Sequence, residues 1–205
     1  AGNMVVESTP SEDGGVSAKL DGVYGNENTT IDSEEGESAP SGEVENGKIT
    51  IDLSTQDGTS TTPASLEVTK TAAESLDNAS GLTVKSDVGS VSLPKEALQK
   101  VADAKSAVTI SIKKENSITD ENEKVEAAYT VEVKDADYNN LLPETADDNG
   151  TITITVEKPA GVSDNFQFWY VDKSKGSLLY LEKLTSTKTE DGKMAVQIGH
   201  LSTIV

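Results

Sequence analysis

The sequence predicts a mostly β, β-rich α+β fold: a β-sandwich-like domain with two short helices arranged in a pseudo-repeat. Three observations support this prediction. From Lys48 onward, short runs alternate between Val, Ile or Thr and polar residues, as strands with one buried face do. Gly-containing turn signals separate these runs, and two short stretches instead carry Ala and Leu at helical spacing.

Residues 1–47 differ from the rest of the chain in charge. They contain eleven acidic residues and a single Lys, and they therefore carry −10 of the net charge of −19. Gly, Ser and Pro interrupt this segment, and it offers little apolar surface to offset the entropy cost of ordering. We therefore predict a flexible acidic linker or tail over residues 1–47, in which Val16–Tyr24 forms at most an edge strand.

A β-rich module is predicted over residues 48–205, with the pseudo-repeat in 48–113 and successive hairpins in 114–205. Its first strand is the alternating run Ile49–Leu53. Turn pairs such as Asp191-Gly192 are typical of connections within hairpins. The other predicted strands are 65–69, 82–86, 90–93, 108–113, 127–133, 151–156, 166–171, 178–181 and 195–198.

Two helical stretches, Thr71–Ala79 and Pro94–Ala104, interrupt the β pattern and define an internal repeat. Each repeat unit is a strand, a short helix and a strand, with a period near 25 residues. Neither unit buries its apolar face alone, so we expect the two to pack as one pseudo-symmetric body with the helices capping one end. The alignment of the two units places 66–68 on 91–93 and, after one inserted residue, 82–84 on 108–110.

Composition argues against several classes of function. The chain has no Cys, which excludes disulfide frameworks, thiolate catalysis and thiolate metal sites. All 17 basic residues are Lys, and the acidic excess repels polyanions, so we expect no nucleic-acid binding. No apolar stretch reaches the ~18 residues of a membrane span, and we expect no membrane insertion. We also expect no cofactor.

The order of motifs provides a more specific signal. Leu82–Leu98, followed by Val108–Ile112, fits the pattern LTV-T-x-GxVTφPxxAL…VTφSφ, where φ is apolar. The chain thereby resembles a module of Firmicutes cell-surface proteins that often accompanies S-layer-homology or bacterial immunoglobulin-like domains. It departs from the family at Leu201, where Phe is favoured, and at Ile204, where an aromatic residue or Ala is favoured. The later family motifs correspond to Tyr129–Val133, Thr151–Val156, Trp169–Asp172 and His200–Val205.

The resemblance implies a non-catalytic structural or adhesive module of a secreted, S-layer-associated protein. Such a module lies at the cell surface or in the cell wall of a Gram-positive bacterium. The family supplies no catalytic residues, so the chain is not expected to be an enzyme. We expect a monomeric module whose partner is a glycan or a protein of the cell wall, a host or the extracellular medium.

One short segment offers a different chemistry. His200 is the only histidine, and in a strand Ser202 would share its face, as a nucleophile and its base would need to do. The order His200-Leu201-Ser202 also resembles the His-Phe-Ser site at which ZU5 and UPA-type domains cleave themselves. This resemblance implies cleavage between Leu201 and Ser202. The alternative is that both side chains cap and pair the terminal strand.

A calcium site is a further candidate, because Asp135, Asp137 and Asn139 offer oxygen atoms at alternating positions. An EF-hand loop uses such groups at its positions 1, 3 and 5, with Gly at position 6 and Glu at position 12. Here Asn140 and Ala146 stand at those two last positions. The alternative is a polar loop between strands.

The aromatic residues suggest a carbohydrate-binding surface. Alternation along 166–171 places Phe166, Phe168 and Tyr170 on one face of a strand and Trp169 on the other. If the first face is core, Trp169 lies near the surface, where it could stack on a sugar ring together with Tyr180 of the next strand. The alternative is that Trp169 packs under a loop or against a neighbouring domain.

Overall fold

The computed structural model describes residues 4–9, 15–25, 29–33, 41–54, 63–115, 128–139, 141, 152–158, 167–172, 179–198 and 203–204. Within these ranges the chain is mostly strand, with two short helices and one 3₁₀ turn at Leu76–Asn78. The helices are α1 (Lys70–Ser75) and α2 (Lys95–Asp103). The strands are β1 (Met4–Thr9), β2 (Val16–Gly22), β3 (Thr29–Ser33), β4 (Ser41–Glu45), β5 (Lys48–Asp52), β6 (Ala64–Val68), β7 (Gly81–Lys85), β8 (Gly89–Pro94), β9 (Val108–Lys114), β10 (Tyr129–Lys134), β11 (Ile152–Val156), β12 (Phe168–Asp172), β13 (Leu179–Lys188), β14 (Met194–Ile198) and β15 (Thr203–Ile204).

The strands form two mixed sheets that are joined into a closed ring. The first sheet has the order β1-β2-β6-β9-β10-β15-β12, and the second has the order β4-β5-β7-β8-β11-β14. Two strands pass from one sheet to the other. β3 pairs with β1 and with β4, while β13 pairs with β12 through 179–184 and with β14 through 185–188. The predicted β-rich α+β, sandwich-like fold is therefore confirmed.

β1 and β15, which come first and last along the chain, run in the same direction. Going from β1 to β15 across the first sheet, one pairing is parallel, β2 with β6, and the other four are antiparallel. An even number of reversals leaves β15 parallel to β1. The chain therefore enters β1 at one rim of the ring and leaves β15 at the opposite rim.

The inner faces of both sheets supply the hydrophobic core. Leu20, Leu66 and Ile110 of the first sheet and Ile51 and Ile154 of the second are at most 1% exposed. Because strands alternate, the residues between them face solvent, and this explains the period-two pattern of the sequence. Tyr129 of β10 also lies in the core, and its burial raises the pKa of its hydroxyl to about 12.

The pseudo-repeat is present in the register of the strands. The first strand of each unit pairs with the last strand of the other unit. β6 therefore pairs with β9 in the first sheet, and β8 pairs with β7 in the second. Leu66 lies opposite Ile110, and the repeat-equivalent residues Val91 and Val84 lie opposite each other. The two units therefore share one core and are related by a pseudo-two-fold arrangement, as the sequence predicts.

Both helices cap the rim at which β1 begins. α1 follows β6 and α2 follows β8, and both of these strands run opposite to β1 and end at that rim. Thr69 caps α1, because its hydroxyl oxygen accepts a hydrogen bond from the backbone N–H of Ala72 at 3.4 Å. Leu76 and Leu98 are fully buried, so the helical segments close the core at this end.

The described part of the N-terminal segment, strands β1 to β4, belongs to the folded body, which corrects the prediction of a flexible linker over residues 1–47. β2 is paired on both sides, with β1 and with β6, and is not an edge strand. Val6 and Leu20 are fully buried in the common core. Asp21, at the end of β2, accepts a hydrogen bond of 2.7 Å from the Thr69 hydroxyl, and this bond lowers the pKa of its carboxyl group. The acidic side chains that the structure describes in this segment, Glu7, Asp21, Glu43 and Glu45, are exposed, and each follows a buried residue of its strand.

One glycine marks a close approach between β8 and β11. Gly89 lies opposite Val156, and a β-carbon at residue 89 would lie 2.5 Å from the carbonyl oxygen of Thr155 and 2.7 Å from Cγ1 of Val156. At Gly81 in β7, the same atom would lie 3.4 Å from its nearest neighbour, the carbonyl oxygen of Leu93. Of these two glycines, only Gly89 lies where a side chain has no space.

The described parts of the chain contain no helix that is long and apolar enough to cross a membrane.

Candidate functional site on the sheet that holds both terminal strands

The outer face of the first sheet carries a small polar groove, which we call the serine groove. It has a volume of about 150 Å³, and Ser17, Ser65, Ser111, Thr130, Lys113 and Glu132 are among the residues that line it. The register of four strands brings these residues together. Ser17 of β2 lies beside Ser65 of β6, which lies beside Ser111 of β9, which in turn lies beside Glu132 of β10.

Hydroxyl groups form the centre of the serine groove. The side-chain oxygens of Ser17 and Ser65 are 3.2 Å apart, and either can donate the hydrogen bond. The hydroxyl of Ser111 has no hydrogen-bond partner among the described residues. Such groups donate and accept hydrogen bonds by rotating, so the groove can meet either kind of ligand atom.

Two ion pairs flank the serine groove and balance its charge. Lys113 Nζ lies 3.5 Å from Glu115 Oε1 on one side, and Lys134 Nζ lies 3.4 Å from Glu132 Oε1 on the other. The hydroxyl of Thr130 donates a hydrogen bond of 2.8 Å to Glu115, which orients that carboxylate. The charges of these four side chains sum to zero, although the whole chain carries −19.

The shape of one end of the serine groove depends on Gly15 and Pro63. The backbone N–H of Val16 donates to the carbonyl oxygen of Pro63 at 2.8 Å, which joins the start of β2 to the start of β6. A β-carbon on Gly15 would lie 2.4 Å from that same oxygen. Glycine at this position therefore allows the two strands to approach.

The repeat-related place on the second sheet lacks this arrangement. Lys85 and Ser90, which face each other in the β7·β8 ladder, are the repeat equivalents of Ser111 and Ser65. A long lysine therefore stands where the groove has a short serine. Further along the same ladder, Thr83 and Ser92 form a hydroxyl pair at 3.1 Å that resembles the Ser17–Ser65 pair.

The predicted calcium ligands form a closed polar loop after β10. Asp135 Oδ1 accepts hydrogen bonds of 2.9 Å from the backbone N–H groups of both Asp137 and Asn139. The bond from the Asn139 backbone N–H lowers the pKa of the Asp135 carboxyl group. Among the described residues no group of three or more acidic or histidine side chains is arranged to hold a metal ion. Tyr138 of this loop has its backbone in the left-handed region, with φ 63°, and its side chain is 82% exposed.

The predicted aromatic surface is described in part. Trp169 is half-buried in β12, and its indole N–H donates to Oε1 of Gln167 at 3.4 Å. Phe168 is buried, as the alternation predicts. Trp169 lies opposite Lys183, and a register shift after Tyr170 places Tyr180 opposite Val171. The hypothesis that Trp169 and Tyr180 bind a sugar remains a prediction.

The predicted self-cleavage site, His200 and Ser202, lies outside the described residues. The adjacent strand β15 is described, and it pairs with β10 through Tyr129 and Thr130 and with β12 through Tyr170 and Val171. Cleavage before Ser202 therefore remains a prediction, and the intact mass of the purified chain after long incubation tests it.

The serine groove itself was not predicted from the sequence. Ser17, Ser65 and Ser111 stand at ordinary outward positions of alternating strands, and only the register between distant strands brings them together. Comparisons with protein families, with curated proteins and with solved structures found no match for this chain.

Proposed function

We propose that the chain is a non-catalytic structural and adhesive module of a secreted protein at the surface of a Gram-positive bacterium. The observation that carries the structural part is the parallel direction of β1 and β15 within one sheet. The chain enters and leaves at opposite rims, as a spacer between neighbouring parts of a longer protein requires. The resemblance to cell-surface modules of Firmicutes supports the proposed location, and the partner is a glycan or a protein.

Tension applied through β1 and β15 acts along the strands of the first sheet. β1 is joined to β2 by a ladder of six residue pairs, Met4–Thr9 with Ser17–Gly22. A force along the strands loads these hydrogen bonds together, whereas a force across the strands opens them one after another. The unfolding force depends on the rate at which the module unfolds under load. This rate is lower when the hydrogen bonds must break together, so the direction of pulling determines the resistance of the module.

Single-molecule pulling in two directions tests this proposal. In the first arrangement the handles are attached before β1 and after β15. In the second they are attached at Asp87 and Asp191, in the turns β7–β8 and β13–β14, which the strand directions place at the same rim. We expect a clearly higher unfolding force in the first arrangement. Equal forces, or a lower force between the terminal handles, would contradict a load-bearing role.

A further inference from the structure

We propose that the serine groove is a binding subsite for one sugar residue of an uncharged glycan. This inference deepens the adhesive part of the proposed function and rests on it, because it names the class of partner and the surface that binds it. It does not depend on the load-bearing role, so the two proposals can fail separately.

The chemistry of the groove matches the hydroxyl groups of a sugar. Ser17, Ser65 and Ser111 present three hydroxyls in one row across three strands, and the Ser111 hydroxyl has no other partner in the described part of the chain. Each can donate or accept, as each sugar hydroxyl can. The half-buried ring of Pro63 lines the same groove and offers an apolar surface to the C–H groups of a sugar.

Charge favours a neutral ligand over an ionic one. Lys113 and Glu132 both line the groove, and each is already paired with a residue of opposite charge. The groove therefore selects neither anions nor cations by itself. The field of a chain with a net charge of −19 repels acidic polymers from the whole surface.

The strand pairing excludes the common way of binding a peptide to a sheet. An extended peptide binds by adding a strand to an open edge. The four strands that line the groove, β2, β6, β9 and β10, are each hydrogen-bonded to a strand on both sides. A ligand of this surface must therefore interact with side chains, as a glycan does.

The size of the groove limits the ligand to a small unit. Its volume of about 150 Å³ is below the roughly 300–1,000 Å³ of pockets that enclose drug-sized molecules. One ring of a polymer fits, and the rest of the glycan extends over the sheet. A ligand of this size, bound without an aromatic side chain among the described lining residues, is expected to bind with a Kd on the order of 1 mM. Adhesion then depends on many modules binding one polymer.

An NMR titration of the ¹⁵N-labelled chain tests the inference. The neutral probes are chitotetraose and maltotetraose, and the anionic probe is a hyaluronan tetrasaccharide. We expect at least one neutral probe to shift the amide signals of Ser65, Ser111 and Thr130, and the anionic probe to cause no shift there. Binding of the anionic probe at these amides, or no shift with any probe, would overturn the proposal.

Two variants and a matched control locate the site. Ser65→Val combined with Ser111→Val removes two hydroxyls and retains strand propensity, and it should weaken binding at least tenfold. The control, Thr83→Val with Ser92→Val, removes the similar hydroxyl pair of the second sheet and should leave Kd unchanged. A single change, Ser111→Tyr, fills the groove from the solvent side and should also abolish the shifts. Equal loss of binding in the control, or full binding by both groove variants, would contradict the assignment.

Discussion

Replacement of Leu20 by Ala tests whether the acidic N-terminal segment belongs to the core. Leu20 is fully buried in β2, between Val6 of β1 and Val68 of β6, which are also fully buried. If residues 1–47 were a flexible linker, this change would have almost no effect on the free energy of unfolding. If the ring is closed as described, the change removes packed core volume.

The expected cost can be estimated from the buried side chain. Leu→Ala deletes the equivalent of three methylene groups, which at ~0.8 kcal/mol each gives ~2.4 kcal/mol of lost transfer free energy. The cavity left in the core adds to this, and buried Leu→Ala changes cost roughly 2–5 kcal/mol in total. Because Leu20 has buried neighbours on both sides, we expect about 3–4 kcal/mol. For a chain of this length, Tm should fall by roughly 6–16 °C.

Urea denaturation provides the measurement. The fluorescence of Trp169, the single Trp, reports on β12, and far-ultraviolet circular dichroism reports on all strands. Coincident transitions by both methods establish that one cooperative unit unfolds. Val23→Ala is the matched control, because Val23 belongs to the same segment but is 46% exposed. That variant should change stability by less than about 0.5 kcal/mol. A cost for Leu20→Ala as small as that of the control would refute the reasoning.

Four further predictions follow from individual contacts. Gly89→Ala should destabilise the chain by about 1–3 kcal/mol through overpacking, whereas Gly81→Ala should be nearly neutral; equal urea midpoints for the two would contradict the close approach. The pKa of Tyr129 is about 12 in the folded chain against an ordinary 10, so the stability from its neutral form is full below pH 10 and is lost as the pH rises through the folded value. Tyr129→Phe should remove the part of the alkaline decrease that comes from this hydroxyl, as urea midpoints measured across that pH range can show. Asp135 already accepts bonds from its own loop, so addition of Ca²⁺ should not change Tm, and a rise that Asp135→Asn abolishes would restore the calcium hypothesis. Trp169→Ala should lower stability without changing the Kd for the neutral tetrasaccharides, and loss of binding would favour the aromatic surface instead.

The sequence predicts most of the fold because its signals are local. Alternation alone marks strands such as β5 and β11, and Ala and Leu at helical spacing mark α2. The repeat also predicts a shared body for its two units. The register Leu66–Ile110 and its equivalent Val91–Val84 then agree with that alignment without any shift.

The N-terminal segment shows where a sum over many residues misleads. Its net charge of −10 favours disorder when it is averaged over 47 residues. Within β2, however, Ala18 and Leu20 alternate with Lys19 and Asp21, and the apolar pair is buried. Charge at outward positions is compatible with a strand, so the alternation predicts the structure better than the total charge.

The serine groove could not be predicted, because it depends on pairing between distant parts of the chain. Ser17 and Ser65 are 48 residues apart, and their contact requires the parallel pairing of β2 with β6. No local pattern specifies that pairing. The same holds for β15, whose position between β10 and β12 determines the rim at which the chain leaves the ring.

Native-state hydrogen exchange of the backbone amides in β1 and β15 tests the account most directly, because the load path and the closed ring both depend on these two strands. We expect the amides of β1 that pair with β2, and those of Thr203 and Ile204, to exchange far more slowly than in an unfolded peptide. Protection in β1 should approach that of the central strand β9. Exchange of β1 and β15 at the rate of an unfolded chain, while β9 remains protected, would contradict the closed ring and the function proposed for it.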